Sequence, residues 1–184
     1  MVIHGVMLIL ILQMLLQPFV TVNEGVVPDV EFKPGDVLLL KGEHSPMHGD
    51  WKHIALCIDE GCVVEASASY DVENHVWITH GVVYTRLEDL FCRGAQEVLV
   101  MRLEDNPQAI EAAIEYAESQ VGKEYDWLLC GLDEHFQYCS ELIRRAYLVS
   151  GIDLDSDGGL FVSPDDIANS PLLTEIYQGP CVAS

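Results

Sequence analysis

The chain has 184 residues, of which 49% are hydrophobic and 21% are charged, and this predicts one globular domain or one domain with a short appendage. Its 30 acidic and 9 basic residues give a formal net charge of −21 at pH 7. Because so few Lys and Arg residues cannot form a phosphate-binding surface, a nucleic-acid partner is excluded. The high hydrophobic content also excludes a disordered acidic tail.

The N-terminal segment differs from the rest of the chain. Residues 6–16 (VMLILILQMLL) are almost wholly apolar, and the first basic side chain is Lys33. This run is too short and too interrupted for a membrane-spanning helix, but it has the length of a signal-peptide core. It lacks a basic flank and a good cleavage site, so an apolar strand or helix of the domain is the alternative.

We therefore predict two parts of the chain: a signal peptide or anchor-like segment over residues 1–25, and the folded domain over residues 26–184. This division predicts an exported, periplasmic or membrane-associated protein, in contact with the membrane or cell envelope through its N-terminal segment. A cytoplasmic location is the alternative.

Beyond this segment the pattern predicts several short strands followed by helices. Runs of apolar and β-branched residues, bounded by turn residues, predict strands over 37–40, 53–58, 62–66, 82–85 and 98–103. Apolar residues at helical spacing predict helices over 107–121 and 138–150, and a short third helix opens after Ser163. Asn106 is the expected N-cap of the first helix. Strands in a run, followed by helices, predict an α+β fold with an antiparallel sheet.

The sequence predicts no metal and no cofactor. The six cysteines show no C-x-x-C spacing, which argues against zinc and thioredoxin-type sites. His44, His48, His53 and Asp50 suggest a metal site, but Pro46 and Gly49 place most of them in a loop without a closed ligand set. Residues 153–159 (DLDSDGG) resemble a calcium loop but lack its downstream Glu, so they predict an acidic surface loop.

Three side chains form a candidate reactive set. Cys139 opens an amphipathic helix, where free N–H groups and the helix dipole favour a thiolate. A thiolate nucleophile needs a base and a group that orients the base. His53 and Glu65 lie within two neighbouring predicted strands, where polar side chains need a partner. The alternatives are a small core cysteine and a strand histidine satisfied by a backbone carbonyl.

The turn between these strands decides whether His53 and Glu65 meet. A three-residue loop over 59–61, with Gly61 in the left-handed conformation, pairs Ile58 with Cys62 and places Glu65 opposite Ala55. His53 then lies on the same face as Glu65, diagonal to it and about 7 Å away between backbones. A two-residue turn would put Glu65 on the opposite face. We predict the first arrangement.

The order of these motifs resembles the YiiX/YebB-like branch of the NlpC/P60 superfamily, which are circularly permuted papain-like cysteine hydrolases. The resemblance rests on His53 in a strand, Glu65 in the next strand and Cys139 opening a helix as YCSELI. Three further stretches agree with it and extend it over roughly residues 30–175: PGDVL at 34–38, GKEYDW at 122–127 and VSPDDI at 162–167.

The resemblance implies a permuted NlpC/P60-like fold and a role for each candidate residue. Cys139 would be the nucleophile, His53 the general base and acid, and Glu65 the group that orients His53. Tyr125 and Tyr138 would lie beside the nucleophile as oxyanion or substrate-binding residues. An ordinary packed aromatic is the alternative for Tyr125.

The implied activity is a cysteine peptidase or amidase that forms an acyl-enzyme on a peptide substrate, such as a cell-wall peptide. A lipid acyl-ester or amide hydrolase, or an acyltransferase, would use the same residues on an acyl substrate. A non-catalytic binding domain of the same fold is the third hypothesis.

Overall fold

A computed structural model describes residues 27–42, 49–71, 75–127, 135–159 and 161–181. The predicted signal peptide over residues 1–25 therefore lies outside the described residues. No helix among the described residues combines the length and the apolar character needed to cross a membrane. In chain order, the elements are β1 Val37–Lys41, β2 His53–Cys57, β3 Cys62–Asp71, β4 Val76–Arg86, α1 Leu87–Phe91, β5 Glu97–Arg102, α2 Pro107–Ser119, β6 Glu124–Tyr125, β7 Phe136–Gln137, α3 Cys139–Leu148, α4 Pro164–Ala168 and β8 Thr174–Pro180.

A six-stranded sheet forms the centre of the described fold. Its strand order is β4-β3-β2-β1-β5-β8, and every pair of neighbours is antiparallel. The α+β fold with an antiparallel sheet is therefore confirmed. The edge strand β8, the helix α1 and the short parallel pair β6–β7 were not predicted, and β3 and β4 are longer than expected.

Both faces of the sheet are covered, which explains why its central strands are continuous apolar runs. One face packs against α2 and α3, and its core includes Ile54 and Leu56 together with Leu142 of α3. The opposite face packs against α1, with Ala55 and Phe91 among its buried residues. Cys139 belongs to the first core, so α3 is fixed to the sheet at its first turn.

The helix ends follow the expected capping rules. The Asn106 side chain accepts the Ala109 N–H at 3.2 Å at the start of α2. At α4, Ser163 accepts the Asp166 N–H at 3.2 Å while the Asp166 carboxylate accepts the Ser163 N–H at 2.7 Å, a reciprocal capping box. The helix predicted over 138–150 is shorter in the structure: α3 ends at Leu148, and Val149 beyond it is 54% exposed.

The β2–β3 hairpin has the predicted register. The Ile58 N–H donates to the Cys62 carbonyl at 3.0 Å, and the ladder continues through the pairs Cys57–Val63 and Leu56–Val64. Gly61, however, is not among the residues with positive φ. The turn is held instead by the Asp59 side chain, which accepts the Gly61 N–H at 2.7 Å. An Asx turn replaces the expected left-handed glycine and produces the same register.

Candidate active site

The fold brings Cys139 and His53 together. Cys139 is the first residue of α3, and His53 is the first residue of β2, the strand against which α3 packs. The Cys139 thiol lies close enough to the imidazole to raise the pKa of His53. Cys139 is 1% exposed, whereas the His53 side chain is 24% exposed, so solvent reaches this pair from the imidazole side. A thiol at this position also receives the favourable field of the helix N-terminus.

Glu65 is the second partner of His53. The imidazole Nε2 lies 2.5 Å from Glu65 Oε2, so Nδ1 is the ring nitrogen that is left for Cys139. Burial alone would lower the pKa of His53, but the hydrogen bonds to Cys139 and Glu65 and the Glu65 charge raise this pKa to about 10. The imidazole is therefore held in its protonated form between a sulfur and a carboxylate.

The Glu65 carboxylate is fully buried and has three polar partners. Thr85 Oγ1 donates to Oε1 at 2.5 Å, and Arg93 Nη1 donates to the same oxygen at 2.6 Å, while Oε2 is left for His53. Burial would raise the pKa of Glu65, but its contact with His53, the Arg93 charge and the Thr85 hydroxyl lower this pKa to about 2. The carboxylate is therefore ionised and oriented.

Thr85 and Arg93 were missed by sequence reasoning. Thr85 lies on β4, where Val83 is the residue opposite Glu65, so a predicted β3–β4 register would have placed Thr85 diagonal to the carboxylate. Arg93 follows the short helix α1, which carries no periodic pattern long enough to be recognised. No local signal connects Arg93 with a strand that lies far from it in sequence.

Tyr125 and Tyr138 flank Cys139 in different ways. The parallel pairing of Tyr125 with Gln137 brings Tyr125 to the start of α3. Burial raises the pKa of Tyr125 well above its usual value, and the nearby Cys139 raises it further. Tyr138 is 3% exposed, and its hydroxyl accepts the Val162 N–H at 3.3 Å, which gives it a packing position beneath the helix start.

The segment that carries Tyr125 is held against the sheet by a close backbone approach. The Val82 N–H donates to the Lys123 carbonyl at 2.9 Å. At Gly81, with φ of +108°, an added Cβ would lie 2.1 Å from that carbonyl oxygen. Only glycine permits this approach, since any larger residue would push the Tyr125 segment away from β4.

A long-range contact fixes the chain just before His53. The Asp165 carboxylate, in α4, accepts the N–H of Asp50 at 3.0 Å and the N–H of Trp51 at 3.3 Å. Gly49 has φ of +105°, and a Cβ there would lie 2.0 Å from Asp165 Oδ2. The PDD stretch near the C-terminus therefore anchors the entry to β2, a role that its sequence did not indicate.

The structure describes only some of the other polar side chains. His44, His48 and Cys130 are outside the described residues, and His135 is exposed. Among the described residues, one group of acidic side chains has oxygens within 4.8 Å of one another: Asp155, Asp157 and Asp166. Arg144 forms ion pairs with Asp153 and Asp155, so a basic side chain already balances part of this charge.

Comparisons with known proteins identify a family and a similar fold. A family model described as a permuted papain-like amidase enzyme, YaeF/YiiX, C92 family, matches residues 31–177. The chain is similar in structure to YiiX from Escherichia coli O157:H7, whose crystal structure is titled that of a metalloprotein. The two share 17% sequence identity and a TM-score of 0.59, over 82% of this chain and 99% of that one. No curated protein matches the chain.

Proposed function

Because this chain belongs to the C92 family of permuted papain-like amidases of the YaeF/YiiX type, it is a cysteine amidase-type hydrolase, and we propose that Cys139, His53 and Glu65 are its catalytic triad. One observation carries the proposal. The imidazole lies between the Cys139 thiol, whose proximity raises the pKa of His53, and a buried carboxylate, with a 2.5 Å contact between His53 and Glu65. This is the nucleophile, base and orienting group that thiol catalysis requires.

The reaction follows from these contacts. The Cys139 sulfur attacks the amide carbonyl carbon, a C–S bond forms and the carbonyl oxygen becomes an oxyanion. His53, protonated at Nδ1, donates this proton to the leaving amine as the C–N bond breaks, which leaves an acyl-enzyme. His53 then takes a proton from water, whose oxygen attacks the acyl carbon. The C–S bond breaks, which releases the acid and restores the Cys139 thiolate beside protonated His53. Glu65 holds the imidazole and stabilises its charge throughout.

The developing oxyanion needs donors beside the sulfur. We assign this role to the backbone N–H of Cys139, at the free N-terminus of α3, and to the Tyr125 hydroxyl. The Tyr125 hydroxyl stays protonated at neutral pH, because burial and the nearby Cys139 raise its pKa. The Tyr138 hydroxyl already accepts the Val162 N–H, so Tyr138 would support the helix start rather than bind the oxyanion.

Access to the nucleophile sets a condition on the substrate. With Cys139 only 1% exposed, neighbouring side chains must move aside before a carbonyl carbon can reach Sγ.

We propose a peptide amide as the substrate, of the kind present in cell walls, because the family is described as one of amidases rather than of esterases. Hydrolysis of lipid acyl esters and transfer to an acceptor other than water are alternative outcomes of the substrate test.

The test uses a panel of peptide amides and acyl esters together with an activity-based thiol probe. Cys139→Ala should abolish both hydrolysis and labelling. Cys62→Ser is the matched control, since Cys62 is more exposed than Cys139 and lies at the hairpin turn away from His53. Full labelling of the Cys139→Ala variant, for example through Cys130, would refute the assignment of the nucleophile. Ester turnover without amide turnover would refute the proposed substrate.

We also propose that residues 1–25 direct the protein to the cell envelope. The support is the apolar run over residues 6–16. Fractionation of cells that express the full chain should place it in the periplasmic or membrane fraction, and mass spectrometry of its N-terminus would show whether the segment is removed. Recovery of intact protein from the cytosol alone would refute this proposal.

A further inference from the structure

The guanidinium of Arg93 completes the polar network behind His53. Nη1 donates to Glu65 Oε1 at 2.6 Å, and Nη2 donates to Thr85 Oγ1 at 3.2 Å. Nη1 also lies 3.4 Å from Ser67 Oγ. A basic side chain in this place is notable in a chain with 9 basic and 30 acidic residues. The positive charge of Arg93 contacts the Glu65 carboxylate, which also binds the His53 imidazole.

The two carboxylate oxygens of Glu65 are divided between its partners. Oε1 receives Arg93 and Thr85, and Oε2 receives His53. Without the guanidinium, the Glu65 carboxylate could rotate about its terminal bond, and its whole negative charge would act on the imidazole. With the guanidinium present, the carboxylate has one orientation, and its charge is shared between the Arg93 guanidinium and the His53 imidazolium.

We propose that Arg93 is a positioning residue of the triad, which fixes the Glu65 carboxylate and limits its hold on the His53 proton. This inference rests on the proposed function, because it assigns a role only through Glu65 and His53. Arg93 itself does not touch the thiol or the substrate. Its effect is to keep the imidazole oriented and yet able to give its proton to the leaving group.

The positive charge of Arg93 acts in one direction on the pKa values of the groups around it. The groups that act on His53 are Glu65 from β3 and Cys139 from α3, and those that act on Glu65 are His53 and Arg93. Tyr125 and Tyr138 also lie near the thiol. Removing a positive charge from this cluster makes every proton in it harder to remove. The pKa for deprotonation of the His53 imidazolium should therefore rise.

The shape of the guanidinium matters as well as its charge. Its planar fork contacts Glu65 and Thr85 at once, which a lysine ammonium on a single stem cannot reproduce. Arg93→Lys should therefore keep the charge effect and lose part of the orientation, whereas Arg93→Met should lose both. Arg86 supplies a matched control, because it lines the same surface cavity as Arg93 but is paired with the exposed Glu88.

The experiment measures alkylation of Cys139 by iodoacetamide as a function of pH, with mass spectrometry of the Cys139 peptide as the readout. In Arg93→Met the acid limb of the rate profile should move up by about one pH unit, so that alkylation on that limb is about tenfold slower. Arg93→Lys should show less than half of this shift, and Arg86→Met should match the unmodified protein. Thermal unfolding curves identify any variant that fails to fold, and Arg93→Gln, which removes the charge but keeps polar donors, then carries the test with the same expected shift.

Two different results separate the failure of this inference from the failure of the proposed function. If Cys139 in the unmodified protein shows no reaction with iodoacetamide at mildly acidic pH, the proposed nucleophile is wrong. If Cys139 does react there, but the acid limbs of Arg93→Met and the unmodified protein coincide, Arg93 is a structural ion pair and the inference is overturned. A shift in Arg86→Met equal to that in Arg93→Met would also overturn it.

Discussion

Replacement of Glu65 by Gln removes one charge from the centre of the network without changing its size. Arg93 and Thr85 both donate to Oε1, so the amide oxygen must occupy that position. The amide NH₂ then takes the place of Oε2 and points at His53 Nε2. Since NH₂ is a donor, Nε2 must become an acceptor and the ring proton must move to Nδ1. A neutral imidazole in this tautomer presents N–H to Cys139 and cannot accept the thiol proton.

The size of the effect follows from these contacts. An imidazole in the wrong tautomer is expected to lower kcat by about 10⁴-fold, as the corresponding change does in a serine triad. The free energy of unfolding should fall by less than the roughly 3–5 kcal/mol expected for breaking a fully buried ion pair, because the Arg93 side chain is 25% exposed and solvent recovers part of the loss. A loss of about 10⁴-fold in kcat corresponds to about 5 kcal/mol, so the transition-state stabilisation should fall by more than the free energy of unfolding.

The assay compares kcat/KM on an amide substrate with urea unfolding for Glu65→Gln and for the double variant Glu65→Gln with Arg93→Met. Without the guanidinium, the amide is free to turn its oxygen toward His53, so the double variant should be more active than the single one. A kcat/KM for Glu65→Gln within tenfold of the unmodified protein would refute the orienting role of Glu65. Equal activity of the single and double variants would refute the tautomer argument.

Three further predictions concern the surroundings of the triad. Tyr125→Phe should lower kcat by about 10²-fold with little change in KM, as steady-state kinetics would show, because it removes one oxyanion donor; an unchanged kcat argues for a packing role. Asp165→Ala should lower activity about tenfold and Asp165→Asn by an intermediate amount, because the N–H groups of Asp50 and Trp51 bind different carboxylate oxygens and the amide keeps only one acceptor. Equal losses in the two variants would contradict this. Urea titrations should show two pH dependences of the free energy of unfolding. The contribution of His53 should be complete below pH 6.5 and lost as the pH rises towards about 10, because folding raises the pKa of His53. The contribution of Glu65 should be complete above pH 4.5 and lost as the pH falls towards about 2, because folding lowers the pKa of Glu65. A pH dependence in Glu65→Gln equal to that of the unmodified protein would contradict the third prediction.

Much of the local structure could be predicted because its causes are local. The β2–β3 register depends on the length of one turn, so it placed His53 and Glu65 on one face even though the conformation expected for Gly61 was wrong. The capping of α2 by Asn106 likewise follows from its neighbours in the chain. The family match over residues 31–177 confirms the class of enzyme that the order of these motifs indicated.

The sequence by itself determined where the reactive side chains sit on their elements: Cys139 at a helix start, and His53 and Glu65 on adjoining strands. Only the tertiary structure decided that Arg93 and Thr85 share the Glu65 carboxylate and that Asp165 holds the backbone 115 residues before it in the chain. The physical reason is range: turn length and capping act over a few residues, whereas a partner for a buried charge is selected by which elements pack together. Such packing depends on the whole core, and no short pattern in the chain records it.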